Sequence, residues 1–295
     1  KRRLPRFLPW QSDLNNKLVQ TMHKSGFVNI IGNPNVGKSV IFNALTGLGV
    51  EISNYPGTTV SVMTGPVKHG GEEFTVTDLP GIYSLAGPSV EEQMVRDYIA
   101  KENPDLFVVV LNSAALEKNL FLLLQVADFE KPVLAVLNMT DDAEKEGKLI
   151  DAESLSEIFG VPVIKTVATE GKNLDAVAEA IVKGDIPNAK SITLLDEHIK
   201  AAKELILEEA GISAGEALFA LEGVCLSTIP EEVVDTAEAL GEEIEKLHAM
   251  SPLQIVRENR HYTASEIAKK VISDAPKKKG HKTRRRIDSV CVICV

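Results

Sequence analysis

The sequence predicts an α/β fold in which helices cover both faces of a mainly parallel β-sheet, followed by a small all-α region. Apolar, strand-like runs alternate with helical patterns as far as residue 182, and this alternation is typical of parallel sheets. After residues 184–187, Gly-Asp-Ile-Pro, only helical patterns remain. A glycine-rich loop follows the first strand, at the edge of the sheet where such folds bind ligands.

The predicted strands cover residues 27–31, 74–77, 106–111, 133–137 and 161–167. The predicted helices of the α/β part cover residues 40–45, 91–101, 116–129, 152–159 and 174–182, and those of the helical part cover residues 196–210, 213–226, 231–250 and 252–273. We therefore divide the chain into a basic arm (1–25), an α/β domain (26–185), a helical domain (186–275) and a basic linker (276–295).

Charge is distributed unevenly along the 295 residues. Residues 1–25 carry six Lys or Arg and residues 276–295 carry seven, each against one acidic residue, although the net charge is −10. The acidic excess therefore lies in the body of the chain, which argues against a nucleic-acid partner. Basic ends are typical of a disordered tail or of a segment that contacts an anionic membrane surface, here residues 277–286.

The cysteines and histidines form no recognisable metal or disulfide pattern. Cys291 and Cys294 form a CxxC, but no second ligand pair accompanies it, and Cys225 lies in a helical pattern. This usage fits a reducing, cytosolic setting. The remaining candidates, His198, His248 and His261, are far apart in sequence, and we expect them to be isolated surface or helix residues. The sequence also has no run of 18 apolar residues that would predict a membrane span.

Residues 32–39, Gly-Asn-Pro-Asn-Val-Gly-Lys-Ser, match the phosphate-binding pattern GxxxxGK[ST] in its strand–loop–helix context. Backbone N–H groups in such a loop bind phosphate oxygens at a helix N-terminus. Lys38 would reach the β and γ phosphates, and Ser39 would bind Mg²⁺. The candidate phosphate-binding residues are Asn33, Pro34, Asn35, Val36, Gly37, Lys38, Ser39 and Val40. A plain glycine turn is the alternative, and the two fitting flanks argue against it.

Two further segments supply candidate contacts to the γ-phosphate and to Mg²⁺. Asp78 ends a predicted strand and is followed by Leu-Pro-Gly81; its carboxylate would hold Mg²⁺ through water, and the Gly81 amide would meet the γ-phosphate. Thr58 and Thr59 follow a Pro-Gly pair. A threonine there completes the Mg²⁺ shell only when a γ-phosphate is present, so this loop would act as a switch. The alternative is an ordinary Pro-Gly turn with exposed threonines.

The segment after the strand at 133–137 predicts the base that is recognised. It reads Asn138-Met139-Thr140-Asp141, where guanine-specific proteins carry NKxD. Asp141 would accept hydrogen bonds from guanine N1–H and the exocyclic amine, a donor pair that adenine lacks. The alternative is a helix N-cap. Ala168 and Thr169, after the next strand, would bring a backbone N–H to guanine O6.

Ile82 follows Gly81, at the position where many small GTPases carry a water-orienting glutamine. An isoleucine cannot orient water, so hydrolysis would depend on backbone groups, Mg²⁺ and an added positive charge. Asn35 could coordinate a monovalent cation beside the phosphates, or it could merely cap the loop.

These motifs resemble the cytosolic portion of the ferrous iron transport protein B (FeoB) family. The resemblance rests on residues 32–39, 54–60, 78–85 and 138–141, together with Glu91-Glu92 and Arg96-Asp97-Tyr98. It implies a Ras-like P-loop G domain over residues 26–185, followed by a helical domain over residues 186–275. It further implies GTP/GDP and Mg²⁺ as ligands, Thr59 as the Mg²⁺-binding threonine, and K⁺ activation through Asn35.

The resemblance also implies a cytoplasmic regulator of a membrane Fe²⁺ transporter, located at the cytoplasmic face of the cell membrane. Its partner would be a transmembrane iron-permeation region, which belongs to the same polypeptide in the family. A homo-oligomer is the other assembly that we consider. The arm at 1–25 departs from the family's pattern. The chain stops at Val295, about where the membrane region would begin, so we expect a soluble fragment or a truncated or divergent product, which cannot itself conduct iron.

Two other functions stay open at the level of sequence. A stand-alone, potassium-activated GTPase of ribosome or tRNA maturation would share Asn35 and the apolar position 82. Such a protein would be expected to carry a basic RNA-binding domain, and the acidic body of this chain argues against that function. A P-loop ATPase or kinase would prefer ATP, contrary to our interpretation of Asp141.

Overall fold

The structure is a computed structural model that describes residues 26–47, 50–54, 60–69, 72–224, 226 and 228–274. Several residues discussed above lie outside this set: the arm at 1–25, Thr58, Thr59, the three cysteines and the basic segment 277–286. The predictions made for them stay predictions.

Within the described residues the strands are β1 (Phe27–Gly32), β2 (Glu51–Asn54), β3 (Ser61–His69), β4 (Glu72–Asp78), β5 (Leu106–Asn112), β6 (Val133–Asn138), β7 (Lys148–Ile150), β8 (Val163–Lys165) and β9 (Ile272–Asp274). Seven of them form one sheet in the order β2-β3-β4-β1-β5-β6-β8. Strand β1 pairs in parallel with β4 and β5, and β5, β6 and β8 continue the parallel run. Only β2-β3 and β3-β4 are antiparallel pairs in this sheet, so the predicted mainly parallel α/β fold is confirmed.

The described helices are α1 (Lys38–Thr46), α2 (Val90–Glu102), α3 (Leu116–Ala127), α4 (Thr140–Lys145), α5 (Ala152–Phe159), α6 (Leu174–Lys183), α7 (Glu197–Ala210), α8 (Ala214–Leu221), α9 (Glu231–His248) and α10 (Pro252–Val271). None of these described helices combines the length and the apolar character needed to cross a bilayer.

The buried strands explain why the chain folds around this sheet. Strand β6 is buried at every position and β5 at all but its last, because helices cover both faces of a parallel sheet and each face needs apolar side chains. One apolar cluster contains Val28, Ile41 and Val177, from β1, α1 and α6. The other contains residues of the opposite side, such as Ile31 and Leu123.

The second cluster continues into the helical part of the chain. It includes Phe219 of α8 and Val256 of α10, both fully buried. The ring of Phe129, two residues after α3 ends, lies 5.6 Å from that of Phe219 and 6.1 Å from that of Phe107 in β5. The helical segment therefore packs onto the same core as one face of the sheet.

Several sequence expectations need correction. Strand-like structure does not stop at residue 187, because β9 pairs antiparallel with β7; three-residue strands are too short for a periodic signal. Strands β2 and β3 were not predicted, since β3 contains Gly65 and Pro66 and alternates only weakly. The predicted helix at 213–226 ends at Leu221, where Gly223 takes a left-handed conformation with φ 69°.

Candidate functional site

The phosphate-type loop lies between β1 and α1, as its sequence predicts. Asn35 and Gly37 have positive φ values of 62° and 90°, which reverse the chain sharply before α1 begins at Lys38. A Cβ on Gly37 would stand 2.3 Å from Asn138 Nδ2, so only glycine permits this close approach. The loop therefore packs directly against the segment that carries the predicted base-recognition residues.

Lys38 brings a buried positive charge to the loop. Its side chain is buried, and its Nζ donates a hydrogen bond to the Asn33 carbonyl oxygen at 3.2 Å. Burial lowers the pKa of Lys38, and the nearby Asp78 carboxylate acts in the opposite direction. The buried Asn33 Oδ1 has no hydrogen-bond partner among the described residues. An anionic ligand in the loop would stabilise the charged ammonium.

Ser39 and Asp78 form a pair of oxygen ligands beside this lysine. The Ser39 hydroxyl donates to Asp78 Oδ2 at 2.6 Å, and the buried Asp78 Oδ1 has no partner among the described residues. Burial raises the pKa of Asp78, against the opposing effects of the Ser39 hydrogen bond and the Lys38 charge. A hydroxyl and a carboxylate are the hard oxygen donors that Mg²⁺ prefers, so the residues present fit this ion.

The segment after Asp78 lies on the loop. The Ile82 N–H donates to the Gly32 carbonyl at 3.3 Å. A Cβ on Gly81 would stand 2.8 Å from the backbone Cα of Pro34, closer than Cβ atoms approach in proteins, and 3.1 Å from Lys38 Nζ. Ile82 is buried in the apolar core, which agrees with its expected inability to orient water.

The predicted base-recognition residues converge through Asn138, at the end of β6. Its Nδ2 donates to the Val36 carbonyl at 2.9 Å, and its Oδ1 accepts from the Ala168 N–H at 2.9 Å. One buried side chain therefore holds the phosphate-type loop and the loop after β8 together. The Ala168 N–H is bonded to Asn138, and the guanine O6 contact expected from Ala168 and Thr169 stays a prediction.

Asp141 lies in the first turn of α4, after Met139 in a left-handed conformation. Its carboxylate accepts from Lys145 Nζ at 2.7 Å, and Asp142 accepts from the same Nζ at 2.9 Å. The hydrogen bond from Lys145 lowers the pKa of Asp141. Asp141 is thus an ionised acceptor, which is the form that a donor pair on a base requires.

Hydrogen bonds that the sequence did not reveal hold the segment 84–87. Gln125 of α3, fully buried, accepts from the Leu85 N–H at 2.8 Å and donates to Ser84 Oγ at 3.1 Å. Arg96 Nη1 donates to the carbonyl oxygens of Leu85 and Gly87 at 2.8 and 2.7 Å. Glu92 accepts from the Ser84 N–H at 3.1 Å. Residues 84–85, Glu92 and Arg96 enter the sequence analysis only through the family resemblance, and the sequence signal for Gln125 is an amide inside the apolar run of α3.

A buried charge cluster lies at the C-terminal end of α3, where Asp128 follows Gln125 by three residues. Arg260 of α10 donates to Asp128 Oδ2 at 3.1 Å and is hydrogen-bonded to Glu222, and all three side chains are buried. Ser191 Oγ donates to Asp128 Oδ1 at 2.7 Å. Burial raises the pKa of Asp128 and of Glu222, despite the opposing charge of Arg260. The cluster joins the end of α3 to the helical part of the chain.

The three candidate histidines all lie in helices, as expected, but the expectation that they are isolated was wrong for two of them. His198 Nδ1 lies 3.0 Å from His248 Nε2, although fifty positions separate them in sequence. Their helices, α7 and α9, pack side by side, and sequence spacing could not show this. His261 is the third, and its ring packs 4.5 Å from that of Phe121.

Solved structures and curated proteins similar to this chain place the site in context. The cytosolic domain of the T. maritima FeoB iron transporter in its GMPPNP form is 30% identical, with a TM-score of 0.73, over 84% of this chain and all of that chain. A GDP-bound mutant of the S. thermophilus FeoB G-domain is 28% identical, with a TM-score of 0.74 and the same coverage. The fold is therefore the Ras-like P-loop GTPase fold of the FeoB G-domain.

Curated relatives match over part of their length. The Fe(2+) transporter FeoB of Methanocaldococcus jannaschii is 53% identical over 36% of this chain and 16% of its own length. FeoB of Salmonella choleraesuis is 37% identical over 63% of this chain and 24% of its own. The chain thus spans about a quarter or less of these relatives.

The family model described as "Ferrous iron transport protein B" matches residues 27–181. This match covers more than half of the chain and includes the phosphate-type loop, Asp78, Asn138 and Asp141. The chain therefore belongs to the ferrous iron transport protein B family.

Proposed function

We propose that this chain binds GTP with Mg²⁺ and hydrolyses it slowly, as the regulatory G module of a membrane ferrous iron transporter. The observation that carries the proposal is the junction at Asn138. Its side chain bonds to the loop that carries Lys38 and to the loop that carries Thr169, while Asp141 lies three residues further on. These contacts support a phosphate site and a base site held in one fixed relation, as a nucleoside phosphate requires.

The phosphate side of the site supports a Mg²⁺-bound triphosphate. Lys38 would neutralise the phosphates, Ser39 would bind Mg²⁺ directly, and Asp78 would hold it through water. Mg²⁺ would supply electrostatic stabilisation of the charge that develops on the phosphates. The roles that we propose for Thr58 and Thr59, as switch residues, rest on the family resemblance.

The base side supports guanine. Asp141, ionised beside Lys145, would accept from guanine N1–H and the exocyclic amine, and Met139 would flank the base. A competition titration of GDP against ADP tests this assignment. We expect GDP to displace a fluorescent guanine nucleotide at least a hundredfold better, and equal displacement by ADP would favour an ATPase.

Because Ile82 cannot orient the attacking water, hydrolysis would need an added positive charge at the phosphates. We propose that K⁺ supplies this charge. Asn35 is exposed at the tip of the loop, where its side-chain oxygen could coordinate a cation beside the phosphates. Hydrolysis should be faster in K⁺ than in Na⁺ at equal ionic strength, and Asn35→Ala should remove this difference. A rate that is independent of the cation in both proteins would refute the potassium role and leave GTP binding untouched.

The helical domain, which we place at residues 186–275, would relay the nucleotide state to a membrane region on the same polypeptide. Support comes from α3, whose Gln125 holds the segment 84–87 and whose end at Asp128 bonds to Arg260. The linker at 276–295 would lie against the cytoplasmic membrane face. Binding to anionic vesicles that is lost when residues 277–286 are neutralised tests this location; equal binding to neutral vesicles would contradict it.

A stand-alone GTPase of ribosome or tRNA maturation remains the second candidate for the whole protein. Salt-sensitive RNA binding by residues 26–275 would favour it, whereas membrane spans encoded after residue 295 would favour the transporter. Homo-oligomer formation is a further proposal that sedimentation of the purified chain would test.

A further inference from the structure

Three side chains with metal-binding atoms meet where two helices of the helical part end. Asp196 is the N-cap of α7, His198 lies in the first turn of α7, and His248 is the last residue of α9. His248 Nε2 lies 3.0 Å from His198 Nδ1 and 3.5 Å from Asp196 Oδ1, and the third separation, between His198 Nδ1 and Asp196 Oδ1, is 3.6 Å. These atoms belong to none of the nucleotide-binding residues.

The separations fit ligands that share one ion. Two nitrogen or oxygen atoms bound at about 2.0–2.2 Å are about 3.3–3.6 Å apart at a tetrahedral angle and about 2.8–3.1 Å apart at a right angle. The three observed separations lie between 3.0 and 3.6 Å. A neutral imidazole nitrogen that binds metal and a carboxylate oxygen are all acceptors, so one cation between them would satisfy the three atoms together.

Contacts around the three side chains hold them in place. The His198 N–H donates to Asp196 Oδ1 at 2.9 Å, as expected of a helix cap. The Asp196 N–H donates to Asn259 Oδ1 at 2.7 Å, which fixes the cap residue against α10. His248 stands at a helix C-terminus, where the partial negative charge of the last carbonyls favours a cation. The ligand atoms are therefore positioned by three helices rather than by a flexible loop.

We propose that Asp196, His198 and His248 bind one divalent transition-metal ion of the class that includes Zn²⁺, Fe²⁺ and Co²⁺. Two imidazoles favour this class over Mg²⁺ and Ca²⁺, which prefer oxygen ligands, and two histidines with one carboxylate leave coordination positions open. The side chain of His198 is 56% exposed, so water would complete the shell and the ion would exchange with solvent. Binding would tie the start of α7 to the end of α9.

The test is a titration of the full chain with Co²⁺, followed by visible absorption. The protein is first saturated with GDP and Mg²⁺, and Cys225, Cys291 and Cys294 are all changed to serine, so that neither the nucleotide site nor a thiol contributes. We expect one equivalent of Co²⁺ to bind with the weak bands of a nitrogen- and oxygen-ligated ion. The double variant His198→Ala/His248→Ala should lose this equivalent.

Two further variants keep the result interpretable. His261→Gln removes a histidine that packs on Phe121 instead, and it should bind Co²⁺ as the parent does. Asp196→Asn preserves a good N-cap while it removes the charged ligand, and it should weaken Co²⁺ binding roughly tenfold or more. Unchanged circular dichroism and GDP affinity would show that the variants are folded.

A second readout uses stability. Zn²⁺ should raise the melting temperature of the parent protein and leave that of His198→Ala/His248→Ala unchanged, because only a folded site binds the ion. The proposal is overturned if the double variant binds Co²⁺ as tightly as the parent, or if the parent binds none at millimolar Co²⁺. Because GDP affinity is measured separately, this failure is distinguishable from failure of the proposed GTPase function.

Discussion

Asn138 is the residue at which the two halves of the proposed nucleotide site meet. Its amide donates to the Val36 carbonyl and accepts from Ala168 N–H, and Gly37 leaves just enough room for it. Asn138 therefore has a structural role, because its side chain holds the two loops together. The sequence motif identified Asn138, but only the three-dimensional contacts show that its side chain also accepts a hydrogen bond from the Ala168 amide.

The Asp141 carboxylate provides a test of base recognition. In Asp141→Asn the acceptor for two guanine donors becomes a mixed donor and acceptor, so we expect GDP to bind roughly 10- to 100-fold more weakly. Xanthosine diphosphate has an oxygen in place of the exocyclic amine, and it should bind to the variant more tightly than to the parent protein. Competition titrations with both nucleotides measure the change.

Asp142→Asn is the matched control, because Asp142 is also paired with Lys145 and lies next to Asp141. This variant should bind GDP and xanthosine diphosphate with affinities within about twofold of those of the parent, since it removes only a surface ion pair of small energy. A similar loss of GDP affinity in the two variants would assign the effect to Lys145 and not to guanine recognition.

Gly81 tests the contact between the segment after Asp78 and the phosphate-type loop. In Gly81→Ala the new methyl group would meet the Pro34 backbone, with Cα at 2.8 Å and N at 2.9 Å. The segment must move away, so we expect single-turnover GTP hydrolysis to fall roughly 10²-fold, as when one transition-state donor is lost. Affinity for GDP, which has no γ-phosphate, should change much less.

Gly241→Ala serves as the control for this substitution. Its Cβ would meet Pro252 Cγ at 3.4 Å, an ordinary contact between α9 and the start of α10. Hydrolysis should be unchanged in that variant. If Gly81→Ala also hydrolyses GTP at the parent rate, the Gly81 amide has no part in the reaction.

At the scale of elements, α3 is the connection between the two parts of the chain. Gln125 faces the segment 84–87, and Asp128, three residues later, faces Arg260 of α10. Residues three apart lie on the same side of a helix, so a shift of the segment after Asp78 would act on the helix end that anchors the helical part.

Gln125→Met removes both hydrogen-bonding groups at nearly constant volume. The Leu85 N–H then loses its acceptor in a buried position, which we expect to lower the unfolding free energy by about 1–3 kcal/mol. Hydrogen exchange at residues 84–87 should accelerate, and mass spectrometry of the peptides that cover them measures this. Gln93→Met is the control, since Gln93 is exposed and its loss should change stability by about 0.5 kcal/mol or less. Equal exchange in the two variants would remove α3 from the proposed relay.

The elements also show which parts of the structure sequence patterns can predict. Buried parallel strands such as β5 and β6 are continuous apolar runs, so local pattern identifies them. The pairing of β7 with β9 joins Lys148 to Asp274, and Asp128 meets Arg260 across 132 positions. No local period records such contacts, because they depend on how the helical part folds back. The His198–His248 pair was missed for the same reason.

At the scale of the whole molecule, the sheet and the helical part share one apolar core. Into this core the chain inserts three charges, those of Asp128, Glu222 and Arg260. One guanidinium faces two carboxyl groups whose pKa burial raises, and two atoms, Glu222 Oε2 and Arg260 Nε, have no partner among the described residues. Buried groups of this kind stabilise the fold only as long as they compensate one another.

Arg260→Met tests that compensation. It leaves two buried carboxylates without a counter-charge, so we expect urea unfolding at pH 7 to show a loss of about 3–5 kcal/mol. Burial already raises the pKa of Asp128 and of Glu222, and loss of the guanidinium would raise both further. The folded state then binds more protons than the unfolded state, so the free energy of unfolding falls as the pH rises through these raised pKa values.

The variant should therefore be closer to the parent at pH 5 than at pH 8. Glu222→Gln is the matched control, since it leaves Arg260 and Asp128 as a one-to-one pair with an amide in place of the second carboxylate. It should lose about 1–2 kcal/mol and show a weaker dependence on pH than Arg260→Met. If the two variants lose equal stability with the same pH dependence, packing at α10 and not charge compensation joins the helical part to the sheet.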